Sequence, residues 1–95
     1  MGVKLSVQAE LDIIDLIARG IELFGPEQSD KYFQQLKSTF ARIAQFSLAN
    51  RERGEIDPPV RIQVYQSHLI IYRTEPDGVF IIRVVHGHYD WHSEL

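Results

Sequence analysis

The sequence predicts an α+β domain in which a hairpin of two helices is followed by an antiparallel sheet. Two observations predict it: apolar residues recur every three or four positions in the first half of the chain, and every second position in the second half. A chain of 95 residues is shorter than a typical domain, so we expect one domain over residues 1–95. The sheet of such a domain buries one apolar face against the helices.

A short strand and the first helix open the chain. Val3 and Leu5 alternate with polar residues, as in a strand with one buried face. Ser6 is a favourable N-cap, and Glu10 lies in the first turn of the helix that follows. The apolar residues of this helix predict a broad apolar face, made of Leu11, Ile13, Ile14, Leu16, Ile17, Ala18, Ile21 and Phe24.

Gly25-Pro26 separates the first helix from the second. Glycine commonly ends a helix in the left-handed conformation, and proline suits the first turn of the next one. The second helix is expected to reach about Phe46, with an apolar stripe of Tyr32, Phe33, Leu36, Phe40, Ile43 and Ala44. Because the connection is so short, we expect the two helices to lie antiparallel.

The second half predicts a loop and then a three-stranded antiparallel meander. Residues 47–59 contain a charged run and two consecutive prolines, which are incompatible with a helix. The apolar period then changes to two, and Pro76-Asp77-Gly78 is a strong turn signal. The predicted strands are Val60–Tyr65, His68–Arg73 and Val79–Val85.

The expected core combines the inward faces of the helical hairpin and the sheet. It comprises Leu5, Ile13, Leu16, Ile17, Leu36, Phe40, Ile43, Ile62, Val64, Leu69, Ile71, Ile82 and Val84. The hairpin carries more apolar residues than one sheet face can cover. We therefore expect apolar surface on the hairpin at Ile21, Leu23, Phe24 and Phe33.

Composition excludes several classes of function. The chain has no cysteine, so disulfides, thiolate catalysis and cysteine zinc sites are impossible. Ten Lys and Arg residues against thirteen Asp and Glu residues give a net charge of −3, the opposite sign from most small nucleic-acid binders. No apolar run approaches the length of a membrane span, and no signal peptide is visible, so we expect a cytoplasmic protein. Neither a glycine-rich phosphate loop nor a serine nucleophile elbow is present.

Three of the four histidines lie in the last ten residues, together with Asp90. His88 and His92 have a spacing that chelates zinc on a helix. However, this segment begins within a strand at His86, and no fourth ligand has a defined spacing. We therefore expect a polar tail with no metal and no cofactor. For His68 we expect a hydrogen bond that holds a strand edge or turn.

Three arginines, Arg61, Arg73 and Arg83, lie one on each strand of the predicted meander. If they share one sheet face, they form a basic cluster that could hold phosphate. The alternative is a solvated outer face, and the sequence favours neither. Arg51 and Arg53 are expected to pair with acidic neighbours in the loop.

Spaced residues in both halves of the chain form a recognisable pattern. The helical half contains Ser6-x2-Ala9-x2-Asp12-Ile13-x2-Leu16, Gly25 and Tyr32-x3-Leu36-x3-Phe40-x2-Ile43-Ala44. The second half is more specific, with Arg61, Ser67–Arg73, Ile82–Gly87, Asp90 and Leu95. From Leu5 to Leu95 this pattern resembles the ParE toxins of bacterial toxin–antitoxin pairs. That family usually has Pro and Gly followed by a basic residue after the second helix; here Ser47–Arg51 stands instead, so the turn into the loop is expected to differ.

The resemblance implies the fold described above and also a function. ParE toxins trap the cleaved-DNA complex of DNA gyrase, are not regarded as enzymes, and are neutralised by a ParD-like antitoxin. DNA would then be contacted only indirectly, through the antitoxin or gyrase. With no catalytic residues implied, the residues expected to contact gyrase or the antitoxin are Arg61, Arg73, Arg83, His86, Asp90 and Trp91.

A RelE-like messenger-RNA endonuclease is the alternative, because that class of toxin shares the fold. Such an enzyme stabilises a pentavalent phosphate with several basic side chains and needs a general acid or base. The residues available for these roles are Arg61, Arg73, Arg83, His86 and Tyr89. The negative net charge and the presence of only three lysines disfavour this alternative.

Overall fold

A computed structural model describes residues 2–89 and confirms the predicted α+β architecture. Its elements in chain order are β1 (Gly2–Leu5), α1 (Val7–Phe24), α2 (Pro26–Gln45), β2 (Glu52–Arg53), β3 (Val60–Tyr65), β4 (His68–Glu75) and β5 (Gly78–His86). The strands form one sheet in the order β1-β5-β4-β3-β2. β1 pairs with β5 in parallel, and the other neighbouring strands are antiparallel. β5 therefore lies inside the sheet, with β1 on one side and β4 on the other.

The predicted helix caps are present. The Ser6 hydroxyl accepts a hydrogen bond from the Ala9 N–H at 2.9 Å and donates one to the Ile82 carbonyl at 2.6 Å. The cap therefore also ties the start of α1 to β5. Gly25 has φ 87°, the left-handed region that favours glycine, and its N–H donates to the Ile21 carbonyl at 2.9 Å.

Gly20 allows the two helices to approach closely. A Cβ at this position would lie 2.7 Å from the Ser29 hydroxyl oxygen. Ser29 is buried, and its hydroxyl donates to the Ile17 carbonyl at 2.9 Å. The low helix propensity of glycine is thus offset by a tight contact between α1 and α2.

The first and last strands meet through two glycines. Gly78 has φ 151°, and a Cβ there would lie 1.9 Å from the Gly2 carbonyl oxygen. The Gly2 N–H donates to the Asp77 carbonyl at 2.8 Å. This close approach of two backbones requires glycine at position 78.

The main core fills the space between the hairpin and the sheet. Five of the expected core residues are buried there: Ile13, Leu36, Phe40, Ile43 and Val84. Leu5, Leu16 and Ile17 pack against this cluster and are partly buried. The sheet contributes Tyr65, Ile70, Tyr72, Val79 and Ile81.

The expected inward face of β3 and β4 was wrong. Four of the expected core residues, Ile62, Leu69, Ile71 and Ile82, instead belong to a second apolar cluster on the opposite face of the sheet, together with Ile56, Val60 and Val85. Val64 is 62% exposed and belongs to neither cluster. β4 is apolar at consecutive positions, so alternation does not fix which face turns inward. Tyr72 faces the main core, and its hydroxyl donates to the Ser47 carbonyl just after the end of α2.

The loop between α2 and β3 contains one element that the sequence did not predict. Glu52 and Arg53 form β2 and pair with Arg61 and Val60 of β3. Two residues are too short to show a period. Within residues 2–89, neither helix has both the length and the apolar character that crossing a bilayer requires.

Replacement of Phe40 by alanine should lower the free energy of unfolding by about 3–5 kcal/mol, because a buried aromatic ring is lost and a cavity remains. Phe40 is 5% exposed in the main core. Chemical denaturation of the purified variant measures the change. Phe46→Ala is the matched control, since Phe46 is 58% exposed. Equal stability of Phe40→Ala and the wild type would contradict this placement of the core.

Candidate functional site

A groove of about 790 Å³ lies between the helical hairpin and the ends of β4 and β5. We call it the hairpin groove. Apolar and charged side chains of α1 form part of its wall, and residues of α2, the turn before β4, β4, β5 and the turn after β5 form the rest. Its lining includes Leu16, Leu23, Phe24, His68, Arg83 and His86. The combination of apolar and charged walls suits the binding of a macromolecular segment.

An ion pair between Arg83 and Asp12 closes the inner side of the hairpin groove. The Arg83 Nε and Nη2 donate to the two Asp12 carboxylate oxygens at 2.8 and 3.0 Å. The same carboxylate accepts the Val84 N–H at 3.0 Å. Both side chains are about one-tenth exposed. The guanidinium also lies 5.4 Å from the ring centre of Tyr89. A bidentate ion pair with an additional backbone donor fixes the geometry of both charged groups.

A chain of aromatic and imidazole rings forms the second wall. The Tyr32 hydroxyl and His68 Nδ1 are 2.8 Å apart, which provides the structural hydrogen bond expected for His68. The Tyr65 hydroxyl donates to the Tyr32 carbonyl at 2.9 Å. The ring of His86 lies 5.7 Å from that of His68 and 5.3 Å from that of His88. These contacts join α2 to the edge of the groove.

Burial shifts the ionisation of two groups in this ring chain. It lowers the pKa of His68 below its ordinary value of 6.5, and the neighbouring His86 lowers it further. Burial also raises the pKa of the Tyr65 hydroxyl, and Tyr32 raises it further. His68 is therefore held in its neutral form, which accepts or donates a hydrogen bond without adding charge to the groove.

The three strand arginines do not form one basic cluster. Arg83 points toward α1, and Arg61 donates to the Asn50 carbonyl beside the end of α2. Arg73 lies on the other sheet face, with its guanidinium 4.6 Å from the ring centre of Phe80 and 3.9 Å from the Glu75 carboxylate. Of the predicted partner contacts, the structure brings Arg83 and His86 together at the hairpin groove and leaves Arg61 and Arg73 outside its lining.

The predicted tail residues Asp90 and Trp91 lie outside the described residues, as does His92. Within residues 2–89, no group of three or more His, Asp or Glu side chains has a geometry that could hold a metal ion. In the loop, Arg53 pairs with Glu55 at 3.5 Å, as expected for that charged run.

Apolar residues on the outer side of α1 form an exposed surface. We call it the α1 stripe, made of Val7, Leu11, Ile14, Ala18 and Ile21. Val7 is 75% exposed and Ile14 is 63% exposed. The exposure expected for Ile21, Leu23 and Phe24 is confirmed, but the expectation for Phe33 was wrong, because it packs against the main core.

Sequence reasoning identified these apolar residues but did not separate the inner from the outer face of α1. Nor did it identify Asp12 as the partner of Arg83, or Tyr32 as the partner of His68. The signal for Asp12 is a carboxylate within an otherwise apolar helix face, which requires a polar partner when buried. The partner itself lies 71 residues away in sequence and is visible only in the fold.

Comparison with known proteins identifies the family of the chain and agrees with its fold. The family model described as the ParE toxin of the type II toxin–antitoxin system parDE matches residues 3–91. The chain belongs to the ParE toxin family. No curated protein sequence matches it significantly. A solved structure described as the chromosomal ParDE TA system from P. aeruginosa has the same fold, with a TM-score of 0.77 and 20% sequence identity, covering 90% of this chain and 95% of that one. Membership of a toxin–antitoxin family implies an antitoxin partner.

In this ParE-family chain, Asp12→Ala should destabilise the fold by about 3–5 kcal/mol, because the buried Arg83 charge and the Val84 N–H lose their acceptor. Urea denaturation measures the loss. Asp15→Ala is the control: its pair with Arg19 is exposed, and such pairs contribute at most about 1 kcal/mol. A similar small loss for both variants would show that the Arg83 pair does not anchor α1.

Stability should also depend on pH through His68. The folded chain favours neutral His68, so its contribution to stability is complete above pH 6.5 and is lost as the pH falls through the lower folded pKa. Melting temperatures measured at a series of pH values from neutral to acidic should fall more steeply for the wild type than for His68→Asn. Parallel curves for the two proteins would refute the role given to His68.

Proposed function

We propose that this chain is a cytoplasmic toxin that binds DNA gyrase, traps its cleaved-DNA complex, and is neutralised by a ParD-like antitoxin. The observation that carries the proposal is the family match over residues 3–91, together with a fold that agrees with it. DNA is contacted only through gyrase or the antitoxin. The net charge of −3 is consistent with a toxin whose primary targets are proteins.

The environment of the basic residues favours a toxin that binds a protein target over one that cleaves RNA. A ribonuclease must direct positive charge at a phosphate as negative charge develops on it. Arg83 is neutralised by Asp12 and about one-tenth exposed, while Arg61 lies 3.9 Å from Glu52 and is 15% exposed. Arg73 lies on the opposite sheet face. A shared phosphate site would require these side chains to leave their present partners.

The antitoxin contact is proposed to combine apolar and charged surfaces. Acidic antitoxin residues would meet Arg73 at its exposed position, and apolar ones would cover the hairpin. An antitoxin segment that wraps the toxin and orders on binding is expected to bury more than about 2,000 Å² in total. Arg61, Arg83 and His86 complete the proposed contacts on the described residues.

Expression of the chain without antitoxin should produce filamentous cells and induce the DNA-damage response, because broken DNA held on gyrase blocks replication. Purified protein should increase the amount of gyrase-cleaved plasmid in an ATP-dependent reaction, and it should leave ribosome-bound messenger RNA intact. Gel analysis of plasmid cleavage and primer extension on messenger RNA measure the two outcomes. Val64→Ser provides a control with an altered surface outside the proposed contacts.

A chain lacking residues 90–95 tests the proposed role of Asp90 and Trp91. Because exposed Trp is a frequent anchor of protein interfaces, we expect the shortened protein to fold and bind the antitoxin but to lose toxicity. Messenger-RNA cleavage with gyrase unaffected would replace the gyrase proposal with the RelE-like alternative. Retained toxicity of the shortened chain would remove Asp90 and Trp91 from the gyrase contact.

A further inference from the structure

The outer edge of β3 is only partly covered by β2. β2 pairs with Val60 and Arg61, and within residues 2–89 no other strand lies on that side of β3. The stretch from Ile62 to Tyr65 is therefore an open strand edge in the described fold. Such an edge is a template for pairing with a further strand, and folded proteins usually carry a feature that prevents this pairing.

The backbone groups of Val64 point out of this open edge. Tyr65 and His68 flank a two-residue turn, so they form a hydrogen-bonded pair of the β3–β4 ladder. Hydrogen-bonded and non-hydrogen-bonded pairs alternate along antiparallel strands, which makes Val64 and Leu69 a non-hydrogen-bonded pair. The N–H and C=O of Val64 are therefore directed away from β4. Its side chain is 62% exposed, on the same sheet face as that of Ile62.

The side-chain amide of Gln63 covers the outward carbonyl of Val64. Its Nε2 donates to that carbonyl at 2.8 Å. The Gln63 Oε1 accepts from the Asn50 Nδ2 at 2.9 Å, and the same Nδ2 donates to the Tyr72 hydroxyl at 3.2 Å. Asn50 is fixed in turn, because its carbonyl accepts a hydrogen bond from the Arg61 guanidinium. These contacts hold the Gln63 amide against the strand edge.

We propose that Gln63, held by Asn50, blocks the β3 edge against pairing with the β3 edge of a second copy of this chain. The edge is self-complementary: with a two-fold axis at Val64, each Val64 N–H would donate to the Val64 carbonyl of the other copy. The two exposed Val64 side chains would then lie side by side on one sheet face and exclude water from each other. Gln63 opposes this pairing, because an incoming N–H must displace its amide from the carbonyl.

Gln63→Val tests the proposal, because valine lacks the amide and favours strand structure. Sedimentation equilibrium of the full chain over a range of concentrations compares the variant with the wild type. The variant should self-associate at least about tenfold more tightly, because two backbone hydrogen bonds and an apolar contact become available across the axis. Gln63→Met, which keeps the side-chain length but cannot donate, should shift association in the same direction, and it replaces the valine variant if circular dichroism shows that variant to be unfolded.

Further substitutions in the Gln63→Val background locate the contact. Val64→Lys would place two like charges opposite each other at the axis and should return self-association to the wild-type level. Val7→Lys is the matched control, since Val7 is 75% exposed at the start of α1, and it should leave the association of the variant unchanged.

A disulfide cross-link tests the register of the pairing. The chain has no cysteine, so Val64→Cys introduces a single thiol. Residues in a hydrogen-bonded antiparallel pair have Cα atoms about 5.5 Å apart, a separation that a disulfide can span. Under mild oxidation, Val64→Cys should form the cross-linked dimer readily in the Gln63→Val background and at least about tenfold more slowly when Gln63 is retained.

Folded Gln63 variants that associate no more tightly than the wild type would overturn the proposal. Association that persists with Val64→Lys, or that Val7→Lys reduces equally, would place the contact elsewhere and would also overturn it. Equal rates of cross-linking with and without Gln63 would show that its amide does not block the edge. These measurements involve neither gyrase nor the antitoxin, so their outcome is independent of the proposed function.

Discussion

Asp12 accepts hydrogen bonds from the Arg83 guanidinium and from the Val84 N–H, and these bonds fix the rotation of α1 about its axis. The Ser6 hydroxyl adds a second contact with β5, about 1.7 helical turns before Asp12. With this side of the helix held against the sheet, Ala9 and Ile13 must face the core. Leu11 and Ile14 must then face solvent, because they lie on the other side of the same helix. The exposed stripe is thus a direct result of the buried ion pair.

The fold has two layers, and each outer surface offers a different chemistry. On the hairpin side, the exposed surface of α1 is apolar and flanked by carboxylates. On the far side of the sheet, an apolar cluster around Ile71 is bordered by Arg73, which stacks on Phe80. Between them, the hairpin groove presents an ion pair and neutral histidine. A toxin that must bind both a target and an inhibitor has distinct surfaces available for the two.

Local signals in the sequence were sufficient for the two helices, the four longer strands, the turn at Gly25 and the cap at Ser6, because each depends on residues within a few positions. They were insufficient for the faces of α1 and β4, since both elements are apolar on two sides. The inward face of α1 is chosen by a carboxylate and an arginine 71 residues apart. Likewise, β2 depends on strand pairing, and the Tyr32–His68 hydrogen bond depends on helix docking. The local spacing of apolar residues does not predict either contact. The sequence pattern correctly placed one arginine on each of three strands, but it did not identify the groups that their side chains contact.

The parallel pairing of β1 with β5 has a consequence for when the chain can fold. β1, which begins at Gly2, is synthesised early. It has no neighbouring strand in the sheet until β5, which begins at Gly78, has also been synthesised. The Arg83 partner of Asp12 also leaves the ribosome late. A partly synthesised chain can form the helical hairpin, but it lacks the strand against which that hairpin packs. The topology therefore postpones completion of the folded domain until β5 has been synthesised, so the mature surface does not form on a chain that ends before this strand.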